Sequence, residues 1–256
     1  MTTATLNLNS VGRLLVLVIS ISTLSWALPA TASSVDVQQV VVQADRARFP
    51  AEPFMVDVEV ISTTRGKLET FRYRILAKGN DRSLVQTVYP DSDRGNILLM
   101  RDADLWLFLP DVTQPVRLPL SQRLTGQVAN GDLARANFAG DYTPKLLRTE
   151  PIGSSQYHVI ELTAAKSGVT YHRVLYWVDA QTMRPHKAEF YTRSGRHLKT
   201  AHYRKYAQML GTLRPTEMLM EDEVRKGDSS LLRYSGMTQR ELPDKVFTKQ
   251  YLKKLR

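Results

Sequence analysis

The sequence predicts a mainly β chain with a few helices, laid out as one large antiparallel meander. From Phe54 onward, apolar residues recur at every second position in short runs, and Gly, Asp, Asn or Ser turns fall between the runs. A helical period is confined to three places: Val35 to Arg48, a polar segment between Pro110 and Tyr142, and Asp244 to Leu252. A closed barrel or a two-sheet sandwich would leave the same alternation. No repeat longer than a hairpin and no low-complexity linker divides the chain.

In chain order, the first segment reads as a targeting sequence. Arg13 supplies a positive start, Leu14 to Leu28 an apolar run broken only by Ser and Thr, and Ala30-Thr31-Ala32 a small-x-small cleavage site. The run, about fifteen residues, is short of the roughly twenty of a membrane span. Residues 1–32 are therefore expected to be a cleaved signal peptide and 33–256 a single exported domain. No cysteine occurs, which excludes disulfides and Cys-ligated zinc and leaves no Cys beyond the cleavage site to carry a lipid. Such a chain must draw its stability from a sizeable core.

Val37, Val40, Val41 and Ala44 stand at offsets 0, 3, 4 and 7, the stripe of an amphipathic helix that Pro50 and Pro53 then stop. In the next run Phe54, Val56, Val58 and Val60 alternate with Asp57 and Glu59. After Arg65-Gly66, Phe71, Tyr73 and Ile75 alternate with Thr70, Arg72 and Arg74, which gives a hairpin with one dry face and one charged face. Runs at 84–89 and 97–100 follow. Asp104-Leu-Trp-Leu-Phe-Leu-Pro110 is apolar on both faces, with Trp106 and Phe108 opposite Leu105, Leu107 and Leu109, and is expected to be a central strand covered on both sides. It pairs back through Pro115-Val-Arg-Leu-Pro-Leu120 and opens into the polar, Gly-punctuated segment with its short helix. Alternation resumes at 157–164, 171–179, 185–192, 197–206, 215–222 and 230–237. A last short helix carries Phe247, Tyr251 and Leu252 on one face.

The net charge is +10, or +9 once Arg13 is set aside. The basic residues are spread along the strands and gather only at Lys249, Lys253, Lys254 and Arg256, so no nucleic-acid patch is expected. In an exported chain, such a surface either meets anionic membrane headgroups or an acidic protein face, or serves only to keep the chain in solution.

Catalytic constellations are missing from the sequence. There is no G-x-S-x-G elbow, no phosphate-cradling Gly loop and no H-E-x-x-H. Of the five histidines, His197 and His202 face opposite sides of one strand, and His158 opposite His172 is the one pairing to check. Asp57 and Glu59, roughly 7 Å apart on one strand face, belong to a solvated face rather than a glycosidase pair. The chain is expected not to be an enzyme and to need neither metal nor cofactor.

Trp106-Leu-Phe-Leu-Pro110, the basic partner strand Pro115 to Leu120, the following Gly-containing helical insert and Ala139-Gly-Asp-Tyr142 together resemble the "outer membrane lipoprotein-sorting" group of the LolA-like superfamily. Tyr203-Arg-Lys-Tyr206 followed by Arg214 to Asp222, and the ending Leu242 to Leu252, resemble the same group, so the likeness spans about Val35 to Leu252. Inside the insert, the small-Asp-Phe-x-Tyr-x-Asp element expected of the group is replaced by Asn137-Phe-Ala-Gly-Asp-Tyr142.

The resemblance implies an incomplete barrel: a strongly curved antiparallel sheet whose concave face is closed by helices. It implies a periplasmic, soluble carrier or chaperone that holds the acyl chains of a lipoprotein or lipid for transfer toward the outer membrane. On that reading Val56, Val58, Phe71, Tyr73, Ile75, Trp106, Phe108 and Trp177 line the cavity, and Phe138 and Tyr142 belong to a movable cover. Core packing would use the same residues. The carrier is expected to be a monomer that meets an anionic membrane surface transiently. The alternative is an accessory or sensor module of the same fold, docked on a lipid-exporting inner-membrane transporter or a signalling protein.

Overall fold

A computed structural model describes residues 1–3, 35–135 and 137–254. Residues 4–32 of the expected signal peptide, with its cleavage site, and Arg256 lie outside the described residues.

Helix α1 spans Val37–Arg48. The Asp36 carboxylate caps it by accepting from the Gln39 amide at 3.1 Å, and it ends where Phe49 turns extended ahead of Pro50. Val40, Val41 and Ala44 of the stripe are buried.

The strands follow the alternation. β1 (Phe54–Thr64), β2 (Lys67–Lys78), β3 (Arg82–Tyr89), β4 (Ile97–Arg101), β5 (Asp104–Phe108) and β6 (Val116–Leu118) form the first arm. β9 (Tyr142–Ile152), β10 (Ser155–Ala164), β11 (Arg173–Asp179), β12 (Pro185–Tyr191), β13 (His197–Met209), β14 (Thr212–Asp222) and β15 (Ser229–Gln239) form the second. All thirteen make one antiparallel sheet, in the order β6-β5-β4-β3-β2-β1-β15-β14-β13-β12-β11-β10-β9. The arms join where β1 pairs with β15, Val58 opposite Tyr234. β6 and β9 are edges that do not pair with each other, so the barrel is open.

Between the two edges run β7 (Arg123–Thr125), β8 (Val128–Ala129), α2 (Asn130–Ala134) and α3 (Phe138–Asp141). This insert leads the chain from one edge of the sheet to the other. After β15, a single 3-10 turn at Asp244–Phe247 leads into α4 (Lys249–Lys254).

The sheet buries residues on both faces, unequally. Directly paired residues share a face, so Val56, Ile75, Val85, Leu98 and Leu107 form one row. On the second arm, Ile160, Tyr176, Ala188, Ala201 and Met220 form another. Both rows belong to one contiguous core that includes α1, α2 and α3, because the sheet curls around these elements. The opposite face carries a small separate cluster of Leu84, Leu99, Phe108, Phe247 and Leu252.

Three expectations need correction. The aromatic run at 104–108 is not a central strand: β5 lies one strand in from the edge, and its second cover is the chain's own C-terminal segment. β9 went unread because Pro144 and Pro151 interrupt it and most of its side chains are exposed, as suits an edge strand. His158 faces Val178 and Thr149 rather than His172, and its Nδ1 lies 2.9 Å from the Thr149 hydroxyl.

Candidate functional site: the covered concave face

The concave face is dry because each strand turns its apolar set the same way. Phe54, Val56, Val58, Val60, Tyr73 and Ile75 are almost fully buried there, and Phe71 is half-buried against them. On the outer face of the same strands Asp57 pairs with Arg74 at 2.8 Å and Glu59 with Arg72 at 3.1 Å, the solvated reading of those carboxylates.

Helix α1 and the insert close this face. The Asp132 carboxylate accepts from the Ala129 amide at 2.8 Å and from the Tyr171 hydroxyl at 2.7 Å. The Ser83 hydroxyl donates to the Ala134 carbonyl at 2.7 Å, tying α2 to β3. Asp45 of α1 accepts from the Ala139 amide at 2.8 Å, and Gln38 donates to the Ala139 carbonyl at 3.0 Å, tying α1 to α3. Arg135 forks onto the Asp141 carboxylate and also donates to the Asp102 carbonyl, holding the turn between α2 and α3 against the β4–β5 turn. The approach is close. A Cβ on Gly126, which has φ +48°, would lie 2.1 Å from the Ser62 hydroxyl, and one on Gly131 would lie 2.0 Å from that of Thr170.

Beneath the cover lies a polar, aromatic centre. The Arg48 guanidinium sits 4.5 Å from the Phe138 ring and 5.7 Å from the Tyr203 ring. Its carboxylate partner is Asp45, 3.4 Å away and likewise buried. Burial outweighs Arg48 and the backbone donors, and raises the Asp45 pKa to about 7. Tyr176 packs edge-on to Phe138 at 5.2 Å, and its buried hydroxyl has no hydrogen-bond partner among the described residues. Beneath the insert, the space between Phe54, Ile75, Met100 and Leu133 is about 30 Å³, room for a water or two. A space of that size does not hold an acyl chain.

The structure separates the cavity residues named from the sequence. Val56, Val58, Phe71, Tyr73 and Ile75 share the concave core. Trp106, Phe108 and Trp177 do not. Trp106 falls in the Leu76, Leu84, Leu99 row of the convex face, under the Lys249 ammonium at 3.8 Å. Phe108 lies opposite Ile97 in the same cluster. Trp177 lies between Val159 and Lys187 on the outer face of the second arm, with its indole N–H on Glu150 at 2.6 Å.

Of the cover residues, Phe138 is on α3, inside the cover. Tyr142 is the first residue of β9 and belongs to the sheet, its hydroxyl donating to the Tyr171 carbonyl at 3.0 Å. The residues missed are Asp45, Arg48 and Tyr176. Asp45 and Arg48 continue the α1 stripe at offsets 8 and 11 from Val37, and Tyr176 holds the phase of Val174 and Val178, so spacing carried all three signals.

A family model described as "Uncharacterized protein"-like matches residues 79–254. A LolA superfamily protein from Nitrosomonas europaea is 50% identical, with a TM-score of 0.82, over 85% of this chain and 100% of its own. This chain belongs to the LolA superfamily. Two more distant solved structures share the fold. A lipoprotein-sorting protein domain from Vibrio parahaemolyticus, an outer-membrane type by its description, has 23% identity and a TM-score of 0.71 over 84% of this chain and 97% of its own. A DUF1329 family protein from Desulfovibrio piger has 20% identity and a TM-score of 0.73 over the same shares. No curated protein matches the chain. The LolA-like incomplete barrel expected from the sequence is thus the observed fold.

Proposed function

We propose that this LolA-superfamily protein is a periplasmic carrier, not an enzyme, that takes the acyl chains of a lipoprotein or lipid onto the concave face of its sheet. The observation that supports this best is the pairing of a continuous apolar face with a cover made of separate short segments. α1, α2 and α3 pack on that face through apolar side chains such as Val41, Leu133 and Phe138, and beyond these a handful of polar contacts hold them: Ser83 and Arg135 tie the insert to the strands, and Asp45 and Gln38 tie α1 to α3. An acyl chain of roughly fifteen methylenes loses on the order of 12 kcal/mol in water. Crossing an aqueous compartment therefore demands an apolar surface of comparable length, and a seven-residue strand spans about 23 Å.

When the cover swings away, the cargo's chains replace α1 and Phe138 against Val56, Val58, Tyr73, Ile75 and Tyr176. Closure without cargo keeps that surface out of water and prevents aggregation. Loading and unloading then take place at membranes or at a membrane transporter.

Native mass spectrometry of the mature protein isolated from a bacterial envelope tests this reading. Acyl-bearing adducts that detergent releases are the expected result. A protein that stays free of lipid in the envelope and takes up no acyl chain from mixed micelles contradicts it.

A further inference from the structure

A second cavity lies outside the covered face, where the insert meets the turns of the second arm. It is an open cleft of about 290 Å³, lined by Arg123 of β7, Gln127 of the β7–β8 turn, Arg196 before β13, Lys199 of β13, and Asp222 and Arg225 at the β14–β15 turn, the three arginines being solvent-exposed. Three features set its chemistry.

Arg123, Arg196 and Arg225 have no carboxylate within ion-pair distance among the described residues. Lys199 is already engaged, donating to the Gln127 carbonyl and lying 3.4 Å from Asp132. The lining acid, Asp222, is buried and spent on its own turn, where one carboxylate oxygen accepts from the Val224 and Arg225 amides at 2.8 Å each. Finally, Gln127 is 3% exposed, and its side-chain amide nitrogen has no hydrogen-bond partner among the described residues. A buried donor left unmatched costs about 1–3 kcal/mol, and Gln127 lines the cavity, so a small turn of its amide would bring the donor to a bound acceptor.

Three unpaired guanidinium groups and an unmatched amide donor around one small cavity suit a doubly charged oxyanion. Guanidinium forks match phosphate geometry. We propose that this pocket binds a phosphate group. The site stands on its own lining and does not require cargo under the cover. Its inner wall nevertheless includes Tyr171, which also packs in the concave core against Phe190, so a phosphate-bearing head held here lies next to the apolar interior.

Titration calorimetry with inorganic phosphate and with glycerol 3-phosphate, together with co-sedimentation on phosphatidylglycerol and phosphatidylcholine vesicles, tests the site. The pocket variant is Arg123→Gln with Arg225→Gln. The control, Arg101→Gln with Arg240→Gln, removes the same charge from exposed positions off the lining. Gln127→Leu removes the amide donor at constant charge. Binding of either soluble phosphate, weakened about tenfold or more in the pocket variant, weakened in Gln127→Leu and unchanged in the control, supports the site and makes soluble phosphate a sufficient source. Binding to phosphatidylglycerol vesicles alone, with the same dependence, supports the site and assigns the phosphate to a lipid headgroup. No binding to any probe, or equal loss in the pocket variant and the control, overturns the proposal.

Discussion

The two faces of the sheet bury apolar residues to different ends. The concave face is continuous across both arms and is closed by segments tied down through buried polar groups: Asp45, Arg48, Asp132 and Ser83. The convex cluster is confined to the β3–β5 corner and is closed by one C-terminal stretch, Phe247 to Leu252, with a cleft of about 510 Å³ left beside Leu76, Ile97 and Tyr251. The C-terminal segment is tied by charge as well, with Lys78 and Arg82 each on Asp244 at 2.6 Å, but those pairs sit at the surface whereas the ties under the concave cover are buried. Buried polar ties cost desolvation when closed and can be satisfied by water when open, so they suit a cover meant to leave. On the proposed carrier reading, α1 and the insert are the part that moves and the C-terminus the part that stays.

The sharpest way to break the contrast is to remove Asp45. Asp45→Ala takes the acceptor from two buried donors, the Arg48 guanidinium and the Ala139 amide, and a loss of about 3 kcal/mol or more is expected in denaturant unfolding. Combining it with Arg48→Met should recover the Arg48 share of that loss. If the double variant is no better than the single one, the pair is not what matters there.

Leu252→Ala on the convex side should cost about 2–3 kcal/mol and leave uptake of an acyl probe unchanged, because that cluster does not reach the concave core. The pH dependence is a finer test. Burial raises the Asp45 pKa from its unfolded value to about 7, so the folded chain holds a proton there that the unfolded chain has released. Asp45 ionisation therefore lowers stability as pH climbs from about 4 to 7, and the penalty is fully present above 7. Unfolding midpoints measured across that range should fall for the native chain relative to Asp45→Asn; parallel curves would remove Asp45 from the account. The smallest effect is at Lys249→Gln, which takes the ammonium off the Trp106 ring and should cost about 0.5–1 kcal/mol.

Much of this was legible in the sequence, for physical reasons that also explain the failures. Period-two alternation located β1 to β5 and most of the second arm, and the 3.6-residue stripe located α1, because one-sided burial imposes those periods. Trp106, Phe108 and Trp177 were placed on the concave face by the carrier reading that the resemblance implied. Phase was the better guide, since Trp177 alternates with Val174, Tyr176 and Val178, which face the core. Strand order was not readable, because β1 pairs with β15 and the two ends of the meander become open edges, and nothing local to β5 reveals that it lies beside one of them. The polar ties under the cover were unread because alternation reports burial and not the partner of a buried charge. The stretch from Asp104 to Tyr142 breaks the alternation for a topological reason: it carries the chain from one edge of the sheet to the other.

The central claim, that acyl chains enter the concave face by displacing the cover, can be tested by locking the cover. The chain has no cysteine, so Ser83→Cys with Ala134→Cys introduces a single possible disulfide between β3 and α2, at a point where the two already touch. Uptake of an acyl probe by the reduced and oxidised forms is the measurement. The account predicts uptake when reduced and little or none when oxidised. Equal uptake by both forms would contradict it.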